Sequence, residues 1–105
     1  MAMQLIWTAR FNKSMEFIFT CALDFYSRDT LKSLNTNLKK QEALLIANPK
    51  IGSKEPLLEN RDIEYRHLII KPYFKVIYTL SEDNIYMMDI WDTRRDPSSL
   101  TKGFS

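Results

Sequence analysis

Four cationic side chains stand among β-forming residues in the last third of the chain: Arg66, Lys75, Arg94 and Arg95. An unpaired charge is costly to bury, so each must meet solvent, an ion-pair partner or a ligand. Arginine suits two-pronged recognition of a phosphate or a carboxylate. The chemistry open to such a set is to grip an anion, either a nucleic-acid backbone or an acidic protein surface. Neighbouring carboxylates offer the plainer alternative: Glu64 or Asp89 could pair with Arg66 and Lys75, and Asp92 and Asp96 flank Arg94 and Arg95.

Other reactive groups are sparse. His67 is the only histidine and Cys21 the only cysteine. No cluster of His, Cys and carboxylate has ligand spacing, so no metal is expected, and no cofactor either. Met87 and Met88 are neighbours on a strand and point to opposite faces, which makes a soft-metal pair improbable. No glycine-rich phosphate loop exists, and Gly52, one of two glycines, is expected to meet a backbone demand. A lone cysteine excludes an internal disulfide and fits a reducing compartment. In its helical, apolar context Cys21 reads as a buried, inert thiol. Trp91 reads as either a half-buried packing residue or an interface anchor, since Trp is enriched among binding hot spots.

The elements that must position these groups follow from periodicity. Gln4–Ala9 is rich in β-formers and predicts a first strand. Phe11, Met15, Ile18, Ala22, Phe25 and Tyr26 then recur at three- and four-residue steps, the stripe of an amphipathic helix, with Asn12 or Ser14 as its cap. Ser27–Thr30 offers cap chemistry again, and Leu31, Leu34, Leu38, Gln41 and Leu45 form a second stripe. Asn48-Pro49 ends that helix, because a residue before proline is pushed out of the α region. Its length is then about 20 residues, about 30 Å. With only a cap motif between them, the two helices are expected to form an antiparallel hairpin. Lys50–Asn60 reads as a surface loop. Strands follow over Ile63–Ile70, Tyr73–Leu80 and Ile85–Asp92. The order β-α-α-β-β-β argues an α+β fold, a helix hairpin packed on one face of a small antiparallel sheet.

If Lys71-Pro72 forms a two-residue turn, Ile70 lies opposite Tyr73 and Leu68 opposite Lys75. Period-two alternation then puts Arg66, Leu68, Ile70, Tyr73, Lys75 and Ile77 on one face, and Tyr65, His67, Ile69, Phe74, Val76, Tyr78 and Leu80 on the other. The second set is the apolar one and should meet the helices, which makes His67 a hydrogen-bonded core histidine rather than a catalytic base. Arg66 and Lys75 would share an open face. In the last strand Tyr86, Met88 and Ile90 form the uncharged stripe and are expected inward, with Asp89, Trp91 and Arg95 on the open side.

The chain of 105 residues is one domain, 1–105, at the size typical of a compact fold. Thirteen aromatics (six Phe, five Tyr, two Trp) could supply much of its core. A formal charge of +2 is too small to imply nucleic-acid binding by itself. Its distribution is uneven: Glu16, Asp24, Asp29 and Glu42 fall in the first half, and Arg66, Lys71, Lys75, Arg94, Arg95 and Lys102 in the second. No apolar run approaches the roughly 20 residues of a membrane span, and no secretory signal is apparent. A cytoplasmic protein without a membrane partner is expected.

Tyr65-Arg66 with the strand that follows, Lys75-Val-Ile-Tyr78, and Ile90-Trp-Asp-Thr-Arg-Arg-Asp-Pro97 resemble the RelE/ParE superfamily of toxins from type II toxin–antitoxin modules, especially the plasmid-stabilisation branch. The Ile6-Trp7 strand, both helices and Asn48-Pro49-x-x-Gly52 extend the likeness more weakly, so that nearly the whole chain is covered in order. The resemblance implies a cytoplasmic toxin inhibited by a cognate antitoxin in a toxin–antitoxin hetero-oligomer. Its target would be DNA gyrase for a ParE-like member, or the ribosome and its mRNA for a RelE-like endonuclease. In the RelE-like case the catalytic residues would be Arg66, Lys75 and Arg95. In either case Arg66, Lys75, Trp91, Arg94 and Arg95 would bind antitoxin or target. Leu68 stands where a second basic residue is expected, and Ser98–Leu100 supplies neither the His nor the Tyr of RelE-like chemistry. Without a general acid or base, proton transfer loses about 10²–10⁴-fold. The balance favours a ParE-like gyrase poison over an enzyme; a non-toxic binding module is the third reading.

Overall fold

The computed structural model describes residues 3–21 and 25–95. Two helices pack on a five-stranded sheet, an α+β fold. Strand β1 (Gln4–Trp7) leads into α1 (Ala9–Glu16), which continues as a π-helical turn over Phe17–Cys21. Helix α2 (Arg28–Ala47) is followed by β2 (Ser53–Lys54), a 3-10 turn at Pro56–Leu58, β3 (Arg66–Ile70), β4 (Phe74–Ser81) and β5 (Asn84–Asp92). The sheet order is β1-β5-β4-β3-β2. Its strands are antiparallel except for β1, which runs parallel to β5. A parallel neighbour requires a long crossover, and here both helices and three strands intervene.

The helices begin at identifiable caps. Thr8, not Asn12 or Ser14, caps α1: its hydroxyl accepts from the Phe11 N–H at 3.2 Å and donates to the Met87 carbonyl at 2.8 Å. The helix therefore starts immediately after β1 and is tied to β5 at its first residue. Ser27 caps α2 by accepting from the Thr30 N–H at 3.1 Å, and Asn48 closes that helix after 20 residues, as expected. Phe11, Ile18, Leu31, Leu34, Leu38 and Leu45 are buried against the sheet. Phe25, counted in the first stripe, is 76 % exposed. The reason is that Phe25 stands in a turn before α2, beyond the helical segment that ends at Cys21, so the 3.6-residue period no longer places it. Ala22, Asp24, Asp96, Ser98–Leu100, Lys102 and the side chain of Cys21 lie outside the described residues.

The β3–β4 register differs from the expected one by one residue. Ile70 pairs with Phe74 and Leu68 with Val76, so Lys71, Pro72 and Tyr73 occupy the turn, with a cis Lys71–Pro72 bond. A one-residue slip exchanges the faces of a strand. Phe74, Val76 and Tyr78 face the helices as expected, and the slip turns Leu68 and Ile70 from the open side to join them. A bulge in β5 produces a second exchange: Ile77 pairs with Asp89 but Tyr78 with Met87, leaving Met88 as the extra residue. The inward residues of β5 are Ile85, Met87 and Ile90, and Met88 joins the other face.

That other face is not bare. Leu58, Tyr65, Ile77 and Trp91 form a second buried cluster with Met88 beneath the segment joining β2 to β3. The stretch read as a loop thus supplies a short strand, a 3-10 turn and a cover for the sheet. No helix among the described residues is long and apolar enough to cross a membrane.

Candidate functional site

The register decides where the mid-sheet cations point. Arg66 stands beside Tyr78 on the helix side, and Lys75 beside Ile69 on the far side, so the two do not share a face. Both are drawn into the structure. The Arg66 guanidinium donates to the Gly52 carbonyl at 2.7 Å, and its Nε lies 3.3 Å from Glu64 Oε2, outside hydrogen-bonding alignment. Lys54, through its hydrogen bond, and Arg66 hold the Glu64 carboxyl below its ordinary value. Gly52 is dictated by close approach: its N–H donates to Tyr78 Oη at 2.9 Å, and an added Cβ would fall 2.5 Å from the His67 carbonyl oxygen. Tyr78 Oη in turn donates to the Pro49 carbonyl at 2.9 Å, and burial raises its pKa.

Lys75 is held by Glu55, whose side chain is fully buried; the ammonium donates to Oε1. The other oxygen, Oε2, lies 3.2 Å from His67 Nδ1, again out of hydrogen-bonding alignment. His67 was expected among the helix-facing residues. It instead pairs with Ile77 on the far face, where it meets Glu55 rather than a polar core partner.

The end of β5 is organised around Asp92. This buried carboxylate accepts from Tyr26 Oη at 2.6 Å, from the Arg94 backbone N–H at 2.9 Å, and from Arg94 Nε and a terminal guanidinium nitrogen at 3.1 and 2.9 Å. Burial opposes its charge, but the hydrogen bonds from Arg94 and Tyr26 prevail and hold its pKa below the ordinary value. The same geometry pushes the Tyr26 hydroxyl up to about 12, through burial first and the hydrogen bond to Asp92 second. The Arg94 pKa is raised, chiefly by its hydrogen bond to Asp92. Its guanidinium sits 3.7 Å from the centroid of the Tyr73 ring. Arg95 lies 4.7 Å over the Trp91 ring, which is itself only 4 % exposed. Trp91 is therefore a packing residue with a cation on its outer face, not a protruding anchor.

One further carboxylate joins this end to α1. Asp89 accepts from Arg10 Nε at 3.1 Å, from Ser14 Oγ at 2.5 Å and from the Ile90 N–H at 2.9 Å. Between α1 and the end of β5 runs an open groove. One cavity there, ≈ 220 Å³, is lined by Lys13, Ser14, Phe17, Tyr26, Asp92 and Arg95 among others. Of the residues nominated from the sequence, the structure brings Trp91, Arg94 and Arg95 together here; Lys75 stands opposite Trp91 across β4 and β5 but its ammonium is held by Glu55, and Arg66 lies on the other face.

Sequence reading missed Glu55, Arg10, Lys13 and Tyr26 as members of these sites. For α1 a signal existed: Arg10, Lys13 or Ser14, and Phe17 lie at steps of three and four, on one helical face. For Glu55 none did, since a carboxylate before a proline in a polar segment looks like any loop residue. Among the described residues no group of three or more His, Cys, Asp or Glu is placed to hold a metal ion.

Solved structures of two other chains share this architecture. The chain is similar to a structure from the chromosomal ParDE toxin–antitoxin system of P. aeruginosa, with a TM-score of 0.65 and 15% identity over 87% of this chain and 96% of that one. It is similar too to one from the E. coli DinJ-YafQ toxin–antitoxin complex, with a TM-score of 0.61 and 16% identity over 98% of this chain and 100% of that one. No protein-family model and no curated protein matches it.

Proposed function

We propose that this protein is the toxin of a toxin–antitoxin pair, neutralised by a protein antitoxin and acting by binding its target rather than by cutting RNA. The fold it shares with chains of the ParDE and DinJ-YafQ systems supports the toxin reading. The observation that carries the preference for binding is the separation of Arg66 and Lys75 on opposite faces, each engaged by protein partners. Cations that stabilise one transition state together must converge on the same phosphate, and these two do not. The target in this reading is DNA gyrase, and Arg94 and Arg95 are the cations available to meet it.

RNA cleavage is the second reading, favoured by one feature: a buried Glu55 beside His67 resembles the carboxylate that orients an imidazole for proton transfer. Inducing the chain in a bacterial host, alone and with the reading frame beside its gene, separates the readings. Growth arrest with double-strand DNA breaks and intact mRNA is the expected result. Cleaved mRNA that becomes intact in a His67→Gln variant would transfer the case to the nuclease.

A further inference from the structure

The two edges of the sheet are finished differently. At one, β2 is two residues long and both are exposed, Lys54 among them, so it offers little to an incoming strand. At the other, β1 reads Gln-Leu-Ile-Trp, and neither a charge nor a proline stands between Met3 and Ala9. Native edges are blunted by charges, prolines or bulges, and β1 pairs with β5 in unbroken register with none of the three. The Gln4 N–H donates to the Asp83 carbonyl and the Thr8 N–H to the Met87 carbonyl, so these residues bond towards β5. Bonding direction alternates along a strand, which turns the N–H and C=O groups of Leu5 and Trp7 away from the sheet. Trp7 is 45 % exposed, and its indole N–H donates to Glu42 of α2 at 2.7 Å. Ile46, one turn further along that helix, is exposed too.

We propose that β1 pairs with the β1 strand of a second copy of this chain, antiparallel about a two-fold axis through Ile6. In that register Leu5 of each copy stands opposite Trp7 of the other, and each such pair exchanges both of its main-chain hydrogen bonds. Ile6 meets its own counterpart on the axis. The axis is perpendicular to the sheet, so the two five-stranded sheets become continuous and both helix layers stay on one side. Symmetry and charge select this occupant. A strand laid antiparallel to itself is its own complement, so a second copy satisfies the open donors and acceptors. Beside Trp7, α2 carries Lys39 and Glu42 close together, and a strip with one charge of each sign is likewise self-complementary across a two-fold axis. The contact is small, one short edge with Trp7 and Ile46, and interfaces at the low end of area are weak and reversible. The inference is independent of the toxin reading.

Sedimentation equilibrium of the intact chain reads the association. The average mass should rise from 12.4 kDa towards twice that value between about 1 μM and 1 mM protein. Ile6→Lys sets two ammonium groups face to face on the axis and should weaken the dimer about tenfold. A cross-link tests the register and decides the matter if that variant fails to fold. In a Cys21→Ala background, Ile6→Cys should form a covalent dimer on mild oxidation, because antiparallel partners without mutual hydrogen bonds lie about 4.5 Å apart at Cα, within disulfide reach. Trp7→Cys faces Leu5 of the other copy rather than itself and should cross-link about tenfold more slowly. A mass of 12.4 kDa at every concentration would overturn the proposal. So would a folded Ile6→Lys protein that dimerises like the parent, or equal cross-linking by the two cysteines. A monomer whose β1 amides gain exchange protection only with the protein encoded beside its gene would give the edge to that protein instead.

Discussion

At mid-sheet the Arg66 and Lys75 side chains are 16% and 13% exposed, and each meets a carboxylate. At the end of β5 the Arg94 side chain is 55% exposed although it too holds a carboxylate. The difference lies in how the partner is reached. Glu55 is wholly buried and sits over the far face, so Lys75 must lay its stem across the sheet to meet it. Asp92 is reached from the turn that follows its own strand, so Arg94 satisfies it with one edge and keeps the rest of its guanidinium outside. A cation on or beside a strand is thus available for recognition according to where its counter-charge enters the fold.

Removing the mid-sheet cation should break this contrast most forcefully. Lys75→Ala leaves Glu55 buried with only His67 nearby, and loss of one partner of a buried pair costs about 3–5 kcal/mol. For a domain of this size that lowers Tm by more than about 10 °C. The double variant Glu55→Gln with Lys75→Met should recover most of the loss, because neither group then needs a counter-charge. A single variant that melts like the parent protein would mean that Glu55 is not truly shielded from water.

Tyr26→Phe probes the other end, where the hydroxyl supports a buried carboxylate; a hydrogen bond to a charged group is worth about 1.5–3 kcal/mol. It also has a pH signature. The Tyr26 pKa is about 12 in the fold against 10.0 ordinarily, so above pH 10 the unfolded chain gives up its proton while the folded one keeps it. Stability from this group is full below pH 10 and falls as pH rises towards 12. Asp92 runs the opposite way: its folded pKa is depressed, so its contribution is present above its ordinary 3.8 and lost as pH falls below it. Denaturant titrations between pH 9 and 12 should show a shallower decline in Tyr26→Phe than in the parent. Equal slopes would contradict the assignment.

Gly52→Ala should cost about 1–3 kcal/mol, the range for forcing an extra carbon into packed structure. The group it meets at 2.5 Å is the His67 backbone carbonyl, which cannot swing aside as a side chain could. Thermal melting measures this directly.

Much of the frame was legible in the residues. The α2 stripe from Leu31 to Leu45, its Ser27 cap and its stop at Asn48 were read correctly, because cap chemistry and period are local properties. The order of β1, β3, β4 and β5 followed from alternation and turn residues, whereas β2, inside the stretch read as a loop, and the parallel pairing of β1 with β5 did not. The face assignments of the sheet failed at single-residue insertions. Tyr73 belongs to the turn rather than to β4, and Met88 is an extra residue in β5; neither is visible to alternation, yet each exchanges a face. The site suffered accordingly. Arg66 and Lys75 were paired on a shared surface by that register, and Glu55, the residue that claims Lys75, came from a segment with no periodic signal at all. Arg94 and Arg95 escaped the error because they lie beyond the last paired residue of β5.

The smallest expected effect on stability is also the sharpest test of the contrast. Arg95 is exposed, rests on the Trp91 ring, and answers no carboxylate among the described residues. Its removal forfeits a cation–π contact of about 0.5–1 kcal/mol at an exposed site and leaves no charge uncompensated. Arg95→Ala should therefore melt within a few degrees of the parent while losing growth arrest, binding to the neighbouring protein, or both. Arg66→Ala should do the reverse, lowering Tm by leaving the Gly52 carbonyl without its donor and changing binding only through the fraction unfolded. If both variants lost activity in proportion to stability, the end of β5 would be structural like the middle of the sheet. A stable Arg95→Ala protein that no longer binds would instead place recognition at that end.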